Sequence, residues 1–321
     1  MSTVPADPMR APVENVTAAP PEYRTRPPPG SFEEHIFRCP AGTRHFKLFI
    51  PGPSHTRPMP LVVMLHGCKQ TPDDFALGTR MNEFAQRYGF AVVYPAQSRL
   101  ENIARCWNWF RPSDQSRGSG EPAIIAALTL DVAKAHRVDS DQIFIAGMSA
   151  GGAMALIMVS AYPEIYAAAA VHSGVVPGLA SNVGSALSAM RYSGILEASD
   201  RSQDLHHSTP AAPRLIAIHG DVDKTVSVHN GLEACARRVR GVAANALHAT
   251  VENQAVVNAH PYTRTQWKRD DGQSVAELWI VHGGGHAWFG GDSRGSHTDP
   301  LGPDATRAVV HFFGLDRAHG S

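Results

Sequence analysis

The sequence predicts an α/β fold, with a mostly parallel central sheet and helices on both faces. Three observations carry that expectation. Short, continuously apolar runs recur along the chain, as in strands buried on both sides. Stretches of helical periodicity separate them, the pattern of parallel strands joined by crossover helices. The 321 residues, 43% of them hydrophobic, suffice for one large core.

Residues 1–30 are Pro-rich with few side chains that could pack, and read as a disordered or extended tail ahead of a single domain over 31–321. Residues 45–50 (HFKLFI) predict an early strand ended by Pro51. Residues 61–66 (LVVMLH) are an apolar run stopped by Gly67, a strand buried on both faces. Residues 73–88 predict one helix with Phe75, Met81, Phe84 and Ala85 on one side. Residues 90–94 (FAVVY) form the next buried strand, ended by Pro95. Residues 99–120 are a polar loop around an aromatic knot, CWNWF. Residues 121–138 predict a long helix, with Pro122 in its first turn. Strands are expected at 142–146, 167–172 and 215–219, and a helix at 149–162. Residues 176–212 show no strong period and are where a lid or cap insertion would sit. Residues 262–269 and 277–281 predict a hairpin around Asp271 and Gly272. A helix over 303–313 closes the chain.

Composition excludes some functions. Basic and acidic residues balance at 29 each, so net charge draws the protein to neither nucleic acid nor an anionic membrane. The longest apolar stretches, such as 123–130, fall far short of the roughly 18 residues a membrane span needs. The N-terminus has no basic start and no continuous apolar region of the kind that directs secretion. The expectation is therefore a cytoplasmic protein, with secretion by a non-standard route as the alternative, and reduced thiols are the default. None of the four cysteines, Cys39, Cys68, Cys106 and Cys235, pairs with another at zinc-type spacing.

Sites in parallel sheets lie beyond the carboxyl ends of the strands. There the segment QIFIAGMSAGGAMAL places Gly147, Ser149 and Gly151 as G-x-S-x-G between a strand and a helix. Such a turn exposes the serine hydroxyl above the sheet and sets it at a helix N-terminus, whose N–H groups favour an oxyanion. This is the nucleophile turn of the α/β-hydrolase fold, and Ser149 is the expected nucleophile. A serine nucleophile needs a base, and the base an orienting carboxylate, in the chain order Ser, acid, His.

Downstream, the strand LIAIHG runs into Asp221 and Asp223. The loop must swing back toward the histidine, which favours Asp223; Asp221 is the alternative, or holds the turn by an Asx bond. After the last strand, ELWIVHGGGHAW offers His282 and His286. His282 sits at the strand end, where a structural role is expected. His286 follows three glycines on a loop able to reach over the sheet. A metal pair of these two is disfavoured, because no HExxH motif is present and the glycine run would not form a helix. No metal or cofactor is expected. Of the two N–H donors for an oxyanion, one is Ala150, after the nucleophile; the other belongs to the loop His66-Gly67-Cys68, where Cys68 is favoured.

The segments LVVMLHGCKQTPDDFALGTRMN, VVYPAQ, CWNWFRPSDQSRGSGEPA, IAGMSAGGAM, HSGV, IHGDVDKTV, VHGGGHAWFGG and SHTDPLGPDATR together resemble the poly(3-hydroxybutyrate) depolymerase family of esterases, in particular the short-chain-length polyhydroxyalkanoate depolymerase catalytic domain. The resemblance runs over roughly residues 35–315. It implies a triad of Ser149, Asp223 and His286 and an oxyanion hole of the Cys68 and Ala150 amides. It implies an ester as substrate: a short-chain polyester or its oligomers, or, as in relatives, a feruloyl or acetyl ester of a plant polysaccharide. Cys68 and Cys106 lie in such motifs and are expected close together, as a disulfide or as two thiols. Trp107, Trp109, Trp288 and Phe289 are candidates for an apolar substrate cleft, with core packing as the favoured role of any single one of them. Asp114, Arg117 and Glu121 read as a structural salt-bridge loop. A serine peptidase would need an anchoring subsite for an α-amine, and no acidic cluster evidently supplies one. A silent binding module would not need all three triad residues.

Overall fold

Leu61, Val63 and Leu65 face one side of their strand and Val62 and Met64 the other, and all five are fully buried. A strand covered on both sides requires helices on both faces of its sheet. The computed structural model describes residues 30–52, 58–178, 180–191, 212–240, 242, 247–255 and 259–317. The expected tail, apart from Gly30, and residues 192–211 of the expected lid lie outside the described residues.

One sheet is built from β1 (Ser31–Cys39), β2 (Gly42–Ile50), β3 (Met59–Leu65), β4 (Ala91–Pro95), β5 (Val138–Met148), β6 (Ala168–His172), β7 (Arg214–Gly220), β8 (His248–Gln254), β9 (Tyr262–Lys268) and β10 (Ser274–Val281). Their order is β1-β2-β4-β3-β5-β6-β7-β10-β9-β8. The strands from β4 to β10 in that order pair in parallel, and antiparallel pairs flank them on each side.

The helices are α1 (Pro72–Thr79), α2 (Met81–Tyr88), α3 (Gly120–Ala135), α4 (Ala150–Ala161), α5 (Val183–Met190), α6 (His229–Arg240) and α7 (Ala305–Phe313). Ile125 and Leu128 of α3, Met154 and Ile157 of α4, and Cys235 of α6 pack on the face of Val63. Phe75 of α1, Phe84 of α2 and Val309 and Phe313 of α7 pack on the face of Val62. Full burial of each such side chain contributes about 1.5–3 kcal/mol. A short parallel ribbon, β11 (Trp288–Phe289) with β12 (Thr298–Asp299), follows the main sheet.

The expected single helix over 73–88 is broken in two. Arg80 takes a left-handed conformation with φ 59 between α1 and α2. Carbonyls at the end of α1 are claimed from outside: Gly78 O accepts from Asp292 N at 2.9 Å, and Thr79 O from the Thr306 hydroxyl. The expected irregular stretch 176–212 contains α5, begun by Asn182 and Ser185 as a capping box.

The carboxyl edge of the sheet is laced beyond the strands themselves. Ser149 N donates to His172 O at 2.9 Å, Ser173 N to Ile218 O at 2.9 Å, and Asp221 N to Val281 O at 3.1 Å. Each residue leaving β5, β6 and β7 is thereby pinned to the strand beside it.

Candidate active site

Ser149 sits between β5 and α4 at φ 56 and ψ −119, a conformation that costs a non-glycine residue about 1–3 kcal/mol. Its two flanking glycines make the turn feasible. A Cβ on Gly147 would lie 2.2 Å from Gly151 O, and one on Gly151 would lie 2.0 Å from Leu65 O. The turn leaves Ser149 at the start of α4, whose first-turn N–H groups have no intrahelical acceptor.

Asp223 lies three residues past β7 and His286 five residues past β10, the next strand over. A Cβ on Gly220 would stand 2.1 Å from Gly284 O, so only glycine lets the loop carrying His286 cross the end of β7. His286 Nδ1 then meets Asp223 Oδ2 at 2.7 Å. The other oxygen of Asp223 accepts from Thr225 N at 2.8 Å and Val226 N at 2.9 Å. The Asx turn weighed for Asp221 is thus made by Asp223. Burial alone would raise the Asp223 carboxyl. The neighbouring His219, the bond from His286 with its charge, and the Val226 amide outweigh it and hold the group far below the usual carboxylate range.

His282 does keep to the strand end. Its Nδ1 faces Asp221 Oδ2 at 2.9 Å and its Nε2 faces the Thr263 hydroxyl at 2.8 Å, so Asp221 and His282 pair with each other.

The loop after β3 faces Ser149, since a Cβ on Gly67 would lie 3.6 Å from Ser149 Cβ. It is clamped from several directions. Gly67 N donates to Gln70 Oε1 at 2.8 Å, and Gln70 Nε2 donates to Ser296 O at 3.0 Å. Lys69 N donates to Ala104 O at 2.7 Å, and Trp107 Nε1 to His66 O at 3.0 Å. Cys68 is joined to Cys106 by a disulfide, with Cα atoms 4.2 Å apart; Cys39 and Cys235 are free. Of the two states open to the pair, the structure holds the bridge.

His66 itself is buried and neutral. Gln97 N donates to its Nε2 at 3.0 Å, so its proton sits on Nδ1, which donates to Gly67 O at 2.7 Å. Burial lowers its pKa to about 4. Behind it lies a buried polar set. Arg44 and Gln97 bond each other, Gln97 bonds Glu121, and Glu121 accepts from Asn108 N at 2.8 Å and Asn108 Nδ2 at 2.7 Å. Asp114 accepts from Glu121 N at 2.7 Å, as a structural role predicts. Arg117 instead stands apart, on Glu164 at 2.7 Å.

Of the two roles open to the aromatic residues, cleft and core, the structure gives the core to all four, and the cleft is corrected. Trp107, Trp109, Trp288 and Phe289 are all buried, because their rings fill the two cores beneath the site. Trp107 supports the His66 carbonyl, and Trp288 donates from Nε1 to the Thr306 hydroxyl at 3.0 Å.

Two residues of the site floor were not anticipated, His172 and His219, each near the carboxyl end of a strand. His172 stacks on Trp288 with centroids 4.9 Å apart and accepts from Phe289 N at 3.3 Å. Burial, and then the neighbouring His219 and His286, push it well below the usual imidazole range. His219 Nε2 donates to Val226 O at 2.9 Å and lies 3.5 Å from Asp223 Oδ2. The signal was available as histidines recurring where strands end: 66, 172, 219 and 282. Among the described residues no cluster of His, Cys, Asp and Glu side chains could hold a metal ion.

Comparison with known proteins places this geometry in context. The family described as Esterase PHB depolymerase matches residues 44–254. Poly(3-hydroxyalkanoate) depolymerase C of Paucimonas lemoignei is 28% identical over 232 residues, 71% of this chain and 54% of the relative. Feruloyl esterase B of Neurospora crassa is 33% identical over 129 residues, 40% of this chain and 42% of the relative. The chain thus spans about half the length of these curated relatives. Among solved structures, an acetyl xylan esterase from Aspergillus awamori superposes with a TM-score of 0.66 at 21% identity, over 89% of this chain and all of that one.

Proposed function

Because the chain belongs to the Esterase PHB depolymerase family, we propose that it is a serine esterase that cleaves carboxylic esters through an acyl-enzyme. The observation that carries the reading is the His286–Asp223 bond of 2.7 Å, at the same sheet edge as a strained Ser149. His286 takes the Ser149 proton on Nε2 while Nδ1 donates to Asp223. Ser149 Oγ bonds the ester carbonyl carbon, and the oxyanion rests on the Cys68 and Ala150 amides. As the bond to the alcohol oxygen breaks, His286 returns the proton to it. His286 then activates water, which releases the acid and frees Ser149.

For substrate we propose short-chain hydroxyalkanoate oligoesters, on the relationship to a poly(3-hydroxyalkanoate) depolymerase. The feruloyl and acetylxylan esterases among the relatives favour a second reading, an aromatic or acetyl ester of a polysaccharide. The Cys68–Cys106 bridge fits an oxidising compartment better than the cytoplasm. Ser149→Ala should abolish hydrolysis of p-nitrophenyl acetate and labelling by a fluorophosphonate, with the melting temperature kept. Retained turnover would overturn the mechanism. Rates on hydroxybutyrate oligomers, methyl ferulate and acetylxylan decide between the two substrates.

A further inference from the structure

On the far side of the oxyanion loop from Ser149 lies a cavity of about 670 Å³. Its walls include Arg44, Gln70, Thr71, Arg99, Leu100 and Arg105. Gln70 belongs to both structures, since its Oε1 holds Gly67 N of the oxyanion loop. The sheet order β5-β3-β4-β2 gives the scale. Strands lie about 4.8 Å apart, so a cavity at the ends of β4 and β2 is roughly 10–14 Å from Ser149.

The cavity is cationic in an unusual way. Arg44 is only 2% exposed, and among the described residues its Nε has no hydrogen-bond partner. Its Nη1 is held by Ala96 O and Gln97, and Gln97 is bonded in turn to Glu121, which places the counter-charge behind the wall. Arg99 and Arg105 take part in no ion pair among the described residues, in contrast to Lys47, Arg80 and Arg117. His45 is turned to Glu34, and Glu101 is the one carboxylate in the lining. Arg105 is held at φ 51, a backbone conformation uncommon for a residue with a side chain. Its amide donates to Asn102 O at 2.8 Å, so its place in the loop is set. The lining also has an apolar member, Leu100, which is 97% exposed.

We propose that this cavity is a subsite for the terminal carboxylate of a hydroxyacid oligoester, with Arg99 and Arg105 as its ligands and Leu100 against the aliphatic chain. The inference rests on the esterase reading and names the substrate end that reading leaves open. In such an oligoester the free carboxylate belongs to the alcohol half. Ser149 Oγ bonds the carbonyl carbon, the bond to the alcohol oxygen breaks, and His286 protonates that oxygen. The departing hydroxyacid keeps its carboxylate in the cavity until it dissociates. Guanidinium groups suit that task, since they pair with carboxylates through two parallel hydrogen bonds.

The test compares the free acid of a 3-hydroxybutyrate trimer with its methyl ester. The wild type should favour the free acid in kcat/KM by on the order of five- to tenfold, mainly through KM, and the preference should shrink with added salt. The double variant Arg99→Ala/Arg105→Ala should bring the ratio to about one, and Arg99→Lys/Arg105→Lys should restore part of it. Calorimetric binding of the same two compounds to Ser149→Ala should show the same preference without turnover. Equal binding and equal turnover of acid and ester by the wild type would overturn the subsite, as would a preference that survives the double alanine variant. Failure of the wild type to hydrolyse p-nitrophenyl acetate would instead overturn the esterase reading, and the binding comparison would still decide the subsite.

Discussion

His219 Nε2 lies 3.5 Å from the same Asp223 oxygen that receives His286 Nδ1 at 2.7 Å. The carboxylate is held by two backbone amides, and His219 fixes the carbonyl of Val226, which supplies one of them. On the proposed mechanism His219 is a positioning residue, one step removed from the reacting atoms. His219→Ala should lower kcat by up to about a hundredfold with little change in KM, since small misplacements of a catalytic group have effects of that size. His219→Gln, which keeps a donor, should recover part of the loss. A lower melting temperature with kcat intact would show that His219 serves the fold alone.

Gly151→Ala tests the turn under Ser149. The new methyl would fall 2.0 Å from Leu65 O, a backbone atom of β3 that cannot move aside cheaply. The expected outcome is near-complete loss of esterase activity, with destabilisation of about 1–3 kcal/mol in chemical denaturation. Wild-type rates in this variant would contradict the packing.

His66 should make stability depend on pH. In the unfolded chain it titrates near 6.5, whereas folding lowers its pKa to about 4. Above about pH 6.5 both states are neutral and the contribution to stability is constant. As pH falls from there toward 4, only the unfolded chain gains the proton, so stability is lost. Between pH 7 and pH 5 the loss from this residue is on the order of 2 kcal/mol. Denaturation at the two pH values should show a smaller drop for His66→Gln than for the wild type.

The Cys68–Cys106 bridge closes a segment with a sequence separation of 38 and so adds at most about 4 kcal/mol by chain entropy. Titration of denatured, unreduced protein should find the thiols of Cys39 and Cys235 alone. Dithiothreitol, or Cys106→Ser, should lower both the melting temperature and kcat, because the released residue is the one whose amide is assigned to the oxyanion. Unchanged kcat after complete reduction would separate the bridge from catalysis.

The sequence made much of this site legible. Ser149, Asp223 and His286 each follow a strand whose apolar run is unmistakable, and the glycines around them mark where chain passes close to chain. Less legible was whatever depended on tertiary contact. The break at Arg80 follows from α1 carbonyls taken by residues more than two hundred positions away. The β1 strand, SFEEHIFRC, hides its register behind charged residues because most of it stays in contact with water. The aromatic residues stood open between cleft and core because burial and lining give the same composition; only the packing of Trp107 and Trp288 tells them apart. The histidines at 172 and 219 looked like strand termini, and their meaning appears only when β6, β7 and β10 stand side by side.

The lacing between Ser149 and His172, Ser173 and Ile218, and Asp221 and Val281 has a consequence for how such a chain can change. The sheet sets the points from which the reacting groups are carried: the ends of β5, β7 and β10 stand whole strand steps apart. The segment after Ser173 carries none of those groups, so it can lengthen, shorten or exchange without moving those points. Reactivity and selectivity can therefore drift independently, and grafting a foreign loop after Ser173 should alter which ester enters while leaving the rate constant of acyl transfer near its starting value.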